Sequence, residues 1–139
     1  MTRMWWLLPA ILPLPVHSWA QATLPEAAEQ ARRAWLAHDP QGLVGQSSSL
    51  VLQIPGADPS SPLGRAQAVE LLRRYLGPAE ERGLDVTRTQ EVVPGREGFV
   101  ELARRYVVAG TSDLRSETLF LGFRLRGGRW VLAELRSAP

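Results

Sequence analysis

The sequence predicts an α+β fold with N-terminal helices packed on one face of a curved antiparallel sheet. Two observations carry this. Apolar residues recur at helical spacing between residues 23 and 76, and four alternating segments separated by turn residues fill the remainder. Helices first and an antiparallel meander after is the pattern of segregated α+β packing. At 139 residues, 45% hydrophobic and 22% charged, the chain suits one globular domain and is too short for two ordinary ones.

The N-terminus reads as a signal peptide. "MTRMWWLLPAILPLPVHSWAQA" has one cation, Arg3, an apolar run from Trp5 to Val16, and small residues that suit cleavage after Ala20 or Ala22. The run holds Pro9, Pro13 and Pro15 and is too short for a spanning helix, so a cleaved signal over 1–22 is expected. The single domain is then 23–139, exported to periplasm or medium and carrying no stable membrane anchor.

The elements follow in order. Thr23-x-x-Glu26 fits a capping box with Pro25 in the first turn, and Leu24, Ala28, Ala31 and Trp35 form one stripe. In "AHDPQG", Asp39 is the expected N-cap and Pro40 the first residue of a short helix carrying Leu43 and Val44. Ser49 to Ile54 is a short strand, and Pro55 to Gly64, with three Pro and two Gly, an irregular loop. A third helix runs from Arg65 to Leu76 with Ala68, Leu71, Leu72, Tyr75 and Leu76 inward, and Gly77-Pro78 ends it. Strands are expected at 84–93, 99–109, 116–126 and 129–136, the last two joined by the hairpin signal Gly127-Gly128.

Several chemistries lack their residues. All sixteen basic residues are Arg, against fourteen acids; the formal charge is only +2, so a sequence pI near 9.9 reflects scarce titrating groups rather than a basic patch. Basic and acidic residues are interleaved without an aromatic-basic stripe, and no nucleic-acid partner is expected. There is no Cys and, after the signal, one His, so no metal site and no cofactor is expected. Ser47-Ser48-Ser49 is a run without a nucleophile elbow. His38 in the helix–helix turn suits a capping or solvated role. No catalytic residue is assigned.

If Gly127-Gly128 is a two-residue loop, Leu125 faces Trp130, Phe123 faces Leu132 and Leu121 faces Glu134, all on one face. Glu134 is then the lone carboxylate of an apolar face. A symmetric loop around Ser112 brings Arg104 beside Leu121, in the same row, with Leu102 and Tyr106 flanking it. The candidate pocket is therefore Trp35, Tyr75, Leu102, Arg104, Tyr106, Phe123, Trp130 and Glu134. The plainer reading makes Arg104 and Glu134 a structural ion pair over Leu121, or leaves them at the solvated rim, and makes Trp35 and Tyr75 core residues. On the other face, Gly122 opposite Ala133, with Phe120, Val131 and Leu135, suits a dimer interface.

The segments "AHDPQGL", "LVLQIPG", "LGRAQAVELLRRYL" and the closing "GGRWVLAEL" together resemble the NTF2-like superfamily, whose members include ketosteroid isomerase-like and polyketide cyclase-like enzymes and exported domains of unassigned activity. The resemblance covers the whole of 23–139. It implies a cone enclosing a pocket and a homodimer formed through the sheet. In the isomerase-like relatives a base enters the pocket from early in the fold; here the first strand, "SLVLQI", carries no acid and no His. The expectation is a non-catalytic domain binding a small apolar or amphipathic ligand or a protein partner. The alternatives are a small isomerase, cyclase or hydrolase using Glu134 and Tyr106, and a structural dimerisation module with a filled cone.

Overall fold

The computed structural model describes residues 9–10, 23–55 and 58–139. The expected signal peptide lies outside them save for Pro9 and Ala10. Among the described residues no helix is long and apolar enough to cross a membrane.

Helix α1, Leu24–Leu36, opens at Thr23, whose hydroxyl accepts from the Glu26 amide at 3.3 Å. It buries Leu24, Ala28, Ala31 and Trp35 as expected, and Ala27 besides. Helix α2, Pro40–Val44, is capped by Asp39, whose carboxylate accepts from the Gly42 amide at 3.1 Å. Strands β1, Ser49–Gln53, and β2, Leu63–Gly64, precede helix α3, Arg65–Leu76. Helix α3 buries Ala68, Val69, Leu72 and Leu76, while Leu71, expected inward, is exposed. Val69 takes an inward place instead, one turn before Leu72 on the same side of the helix.

The meander comprises β3, Ala79–Val93; β4, Glu97–Val108; β5, Leu114–Arg126; and β6, Arg129–Ala138. All six strands form one sheet in the order β2-β1-β6-β5-β4-β3. Only the β1–β6 pairing is parallel; the others are antiparallel. Gly127 and Gly128 both adopt positive φ, 57° and 77°, which a tight hairpin demands and side chains other than Gly resist.

Alternation puts Gly98, Val100, Leu102 and Arg104 of β4 on the helix side. Leu119, Leu121 and Phe123 of β5 lie beside them, and Leu132 and Leu135 of β6 complete the core floor under Leu24, Trp35 and Leu72. At Gly98 an added Cβ would lie 2.6 Å from Leu24 Cδ2, so the missing side chain lets α1 seat directly on β4.

Two β-bulges decide which acids face the helices. In β3, Glu81 pairs with Tyr106 and Gly83 with Arg105, so Arg82 is an extra residue. Both Glu81 and Leu84 consequently turn inward, three residues apart. In β6, Phe123 pairs with Leu132 but Gly122 with Glu134, leaving Ala133 as the extra residue. The expected pairing of Phe123 and Leu125 with Leu132 and Trp130 holds, and beyond Ala133 every side chain changes face. Leu135 becomes fully buried opposite Leu121, and Glu134 moves to the helix-free side.

Candidate functional site

Four of the eight sequence-selected residues meet around one group, the guanidinium of Arg104. Its side chain is wholly buried and lies near the ends of α1 and α3. The carbon of the guanidinium sits 3.9 Å from the Tyr106 ring centroid, 4.9 Å from that of Trp35 and 5.3 Å from that of Tyr75. Trp35 and Tyr75 also pack edge-to-face, 6.0 Å between centroids. Rings of this kind attract a cation through their quadrupoles, the more so out of water. Leu102, the next inward residue of β4, is packed core.

Two carboxylates that the sequence reading did not select complete the centre. Glu117 is the direct cross-strand partner of Arg104 and accepts from Nη1 at 2.6 Å. Glu81, turned in by the Arg82 bulge, accepts from Nε at 2.9 Å and from Nη2. Arg104 Nη1 also reaches the Tyr75 hydroxyl at 3.2 Å, and that hydroxyl donates to Glu117. Ser137 Oγ lies 3.5 Å from it. Burial, then the hydrogen bond to Glu117, raises the Tyr75 phenol well above its ordinary range. For Arg104 burial disfavours the charge, but hydrogen bonds to Glu81 and Glu117 outweigh it and lift the pKa. The Trp35 Nε1 group is buried with no hydrogen-bond partner among the described residues.

His38 joins this centre from the rim. Its φ of 49° is the one left-handed value among described non-glycine residues, and the turn it makes carries its Nε2 to 3.4 Å from Glu81 Oε1. About a third of its side chain is exposed. The capping or solvated role expected for it is thus replaced by contact with a buried acid.

The other selected residues lie elsewhere. Glu134 faces away from the helices and pairs with Arg136 at 3.0 Å, its side chain 40% exposed. The expected row of Arg104, Leu121 and Glu134 does not form. A turn at Val108–Thr111, closed by the Thr111 amide on the Val108 carbonyl, pairs Arg104 with Glu117, and the Ala133 bulge removes Glu134. Glu134 and Tyr106 lie on opposite faces and share no site. The patch expected to suit a dimer interface changes likewise, losing Leu135 and gaining the Glu134–Arg136 pair, while Phe99 and Phe120 stack there at 5.9 Å.

Phe123 and Trp130 line a separate cleft of about 700 Å³ between the first turns of α1, the α2 segment and the β5–β6 hairpin. Ala27, Ala31, Leu43 and Leu132 supply its apolar wall, and Glu26, Gln30, Gln46 and Arg129 its polar groups. Among the described residues no group of three or more potential metal-ligating side chains comes together.

No protein-family model matches the chain, and no curated protein matches it in sequence. Solved structures do match. A ketosteroid isomerase-like protein from Erwinia carotovora atroseptica is similar with a TM-score of 0.68 and 15% identity, over 88% of this chain and 99% of its own. A Catenulispora acidiphila protein of ketosteroid isomerase-like fold, solved with trimethylamine, is similar with a TM-score of 0.64 and 16% identity, over 84% of this chain and 87% of its own. A designed NTF2 domain, 16% identical with a TM-score of 0.63, matches over 79% of this chain and 91% of its own. The fold is therefore NTF2-like: helices on a large curved sheet that stays unclosed. At such identities the likeness concerns the fold alone.

Proposed function

We propose that this NTF2-like domain is exported and binds a small amphipathic molecule without transforming it, in the cleft beneath the β5–β6 hairpin. One observation carries the reading: a concave site of about 700 Å³ combines aromatic anchors, Trp130 and Phe123, with a few polar groups at its edge. That mixture is what small-molecule sites use, apolar area for affinity and few polar contacts for orientation. The acids of the cone interior are engaged by Arg104 and Tyr75, which argues against their serving as free acid–base groups. The stacked Phe99 and Phe120 on the helix-free face support a homodimer through the sheet.

Native mass spectrometry of the protein purified from its own envelope tests all three parts together. The expected result is a chain beginning near residue 21 or 23, in dimers, retaining a small-molecule mass that Trp130→Ala loses. A chain with no retained mass and no saturable binding of an apolar dye rejects the binding reading.

A second reading has one observation of its own. His38 in its left-handed turn, about a third exposed beside Glu81, is the kind of strained rim residue found in acid–base sites. A small isomerase, cyclase or hydrolase would then use His38 rather than Glu134, and turnover of a conjugated ketone substrate lost in His38→Gln would favour it.

A further inference from the structure

Three arginines gather on the helix-free face of the β5–β6 hairpin. Arg126 and Arg129 are direct cross-strand partners beside the tight turn, and Arg124 lies two residues along β5 on the same face. Like charges placed directly opposite one another are destabilising. Several other arginines are matched, Arg32 and Arg33 by Glu29, Arg73 and Arg74 by Glu70, Arg104 by Glu81 and Glu117, and the unmatched ones outside the hairpin, such as Arg65 and Arg88, do not line this groove. Among the described residues no carboxylate comes within ion-pair distance of Arg124, Arg126 or Arg129. Even Glu97, the β4 partner of Arg124 in the ladder, makes no such pair.

These side chains line a groove of about 410 Å³, and no acidic residue contributes to its wall. Its opposite side is the chain entering β1, with Ser48 and Ser49 exposed there. That chain is held in place because the buried Ser47 hydroxyl donates to the Leu132 carbonyl. Three uncompensated guanidinium forks and two hydroxyls, converging on a concave surface, match a multiply charged tetrahedral oxyanion better than a single carboxylate.

We propose that this groove binds the phosphate of a small phosphomonoester or diphosphate. The groove shares Arg129 with the cleft on the other side of the hairpin, whereas Arg124, Arg126, Ser48 and Ser49 line the groove and not that cleft.

Titration calorimetry of the full mature chain with inorganic pyrophosphate, at low and moderate salt, tests it. Submillimolar binding is expected at low salt, weakened at least tenfold by the double substitution Arg126→Gln and Arg129→Gln. A control pair distant from the groove, Arg33→Gln and Arg88→Gln, removes the same charge and should change binding less than twofold. Without ligand, the groove variant should melt no lower than the wild type, since a repulsive pair has been relieved. No heat with pyrophosphate, or equal weakening by both double variants, overturns the proposal. Phosphatidylcholine vesicles with and without phosphatidylglycerol form the second arm. Sedimentation with the anionic vesicles alone, lost in the groove variant and unaccompanied by pyrophosphate binding, would assign the phosphate to a lipid headgroup and overturn the small-molecule form.

Discussion

Arg104 and Glu117 stand directly opposite each other on β4 and β5, joined at 2.6 Å in a region where neither side chain reaches water. A buried pair of this kind holds its surroundings in one arrangement, and removing one partner strands the other's charge. Arg104 neutralises two carboxylates, so its loss strands two buried charges at once. Arg104→Met is expected to lower unfolding free energy by about 3–5 kcal/mol, read from urea denaturation. Adding Glu81→Gln and Glu117→Leu to that variant should restore part of the loss, because the stranded acids are then gone.

Tyr75 makes the fold sensitive to alkali. Burial and the bond to Glu117 hold its proton more tightly in the folded chain than in the unfolded one, where a phenol titrates near its usual value of about 10. The contribution is therefore complete below pH about 10 and is lost as pH climbs from there toward the folded-state value. Wild type should show a fall in stability across that interval that Tyr75→Phe lacks. Denaturation midpoints at pH 8 and at pH 11 for both proteins check this.

Gly98 and Leu24 are expected to behave as one unit. A methyl at residue 98 would drive into both Leu24 methyl groups, at 2.6 and 2.7 Å, so Gly98→Ala should cost about 1–3 kcal/mol. In the background of Leu24→Ala the same substitution should cost much less. A double-mutant cycle measures the coupling, and additive effects would contradict this packing.

The helices were readable because their signals are local. Thr23 and Asp39 cap where their side chains and the following Pro predict, and α3 has the expected bounds. Gly127-Gly128 likewise fixed the hairpin and its first two inward pairs. The strands lost register wherever an extra residue entered, since alternation carries no memory of a bulge. Ala133 has no local mark, and it carried Glu134 out of the site. Arg82 had a weak one in the neighbouring Gly83, a residue whose place inside a strand often marks a bulge. Glu117 was within reach of alternation alone, because it shares parity with Leu119, Leu121 and Phe123. The side chain missed there is the one that anchors Arg104.

The direct test of this arrangement compares two conservative changes of one atom each, Glu81→Gln and Glu134→Gln, by urea denaturation at neutral pH. With Glu81 buried against Arg104 and Glu134 at the surface, the first should cost about 1–3 kcal/mol and the second less than about 0.5 kcal/mol. Equal costs, or a larger cost at Glu134, would mean that the two bulges do not sort these acids, and the Arg104 centre would lose its foundation.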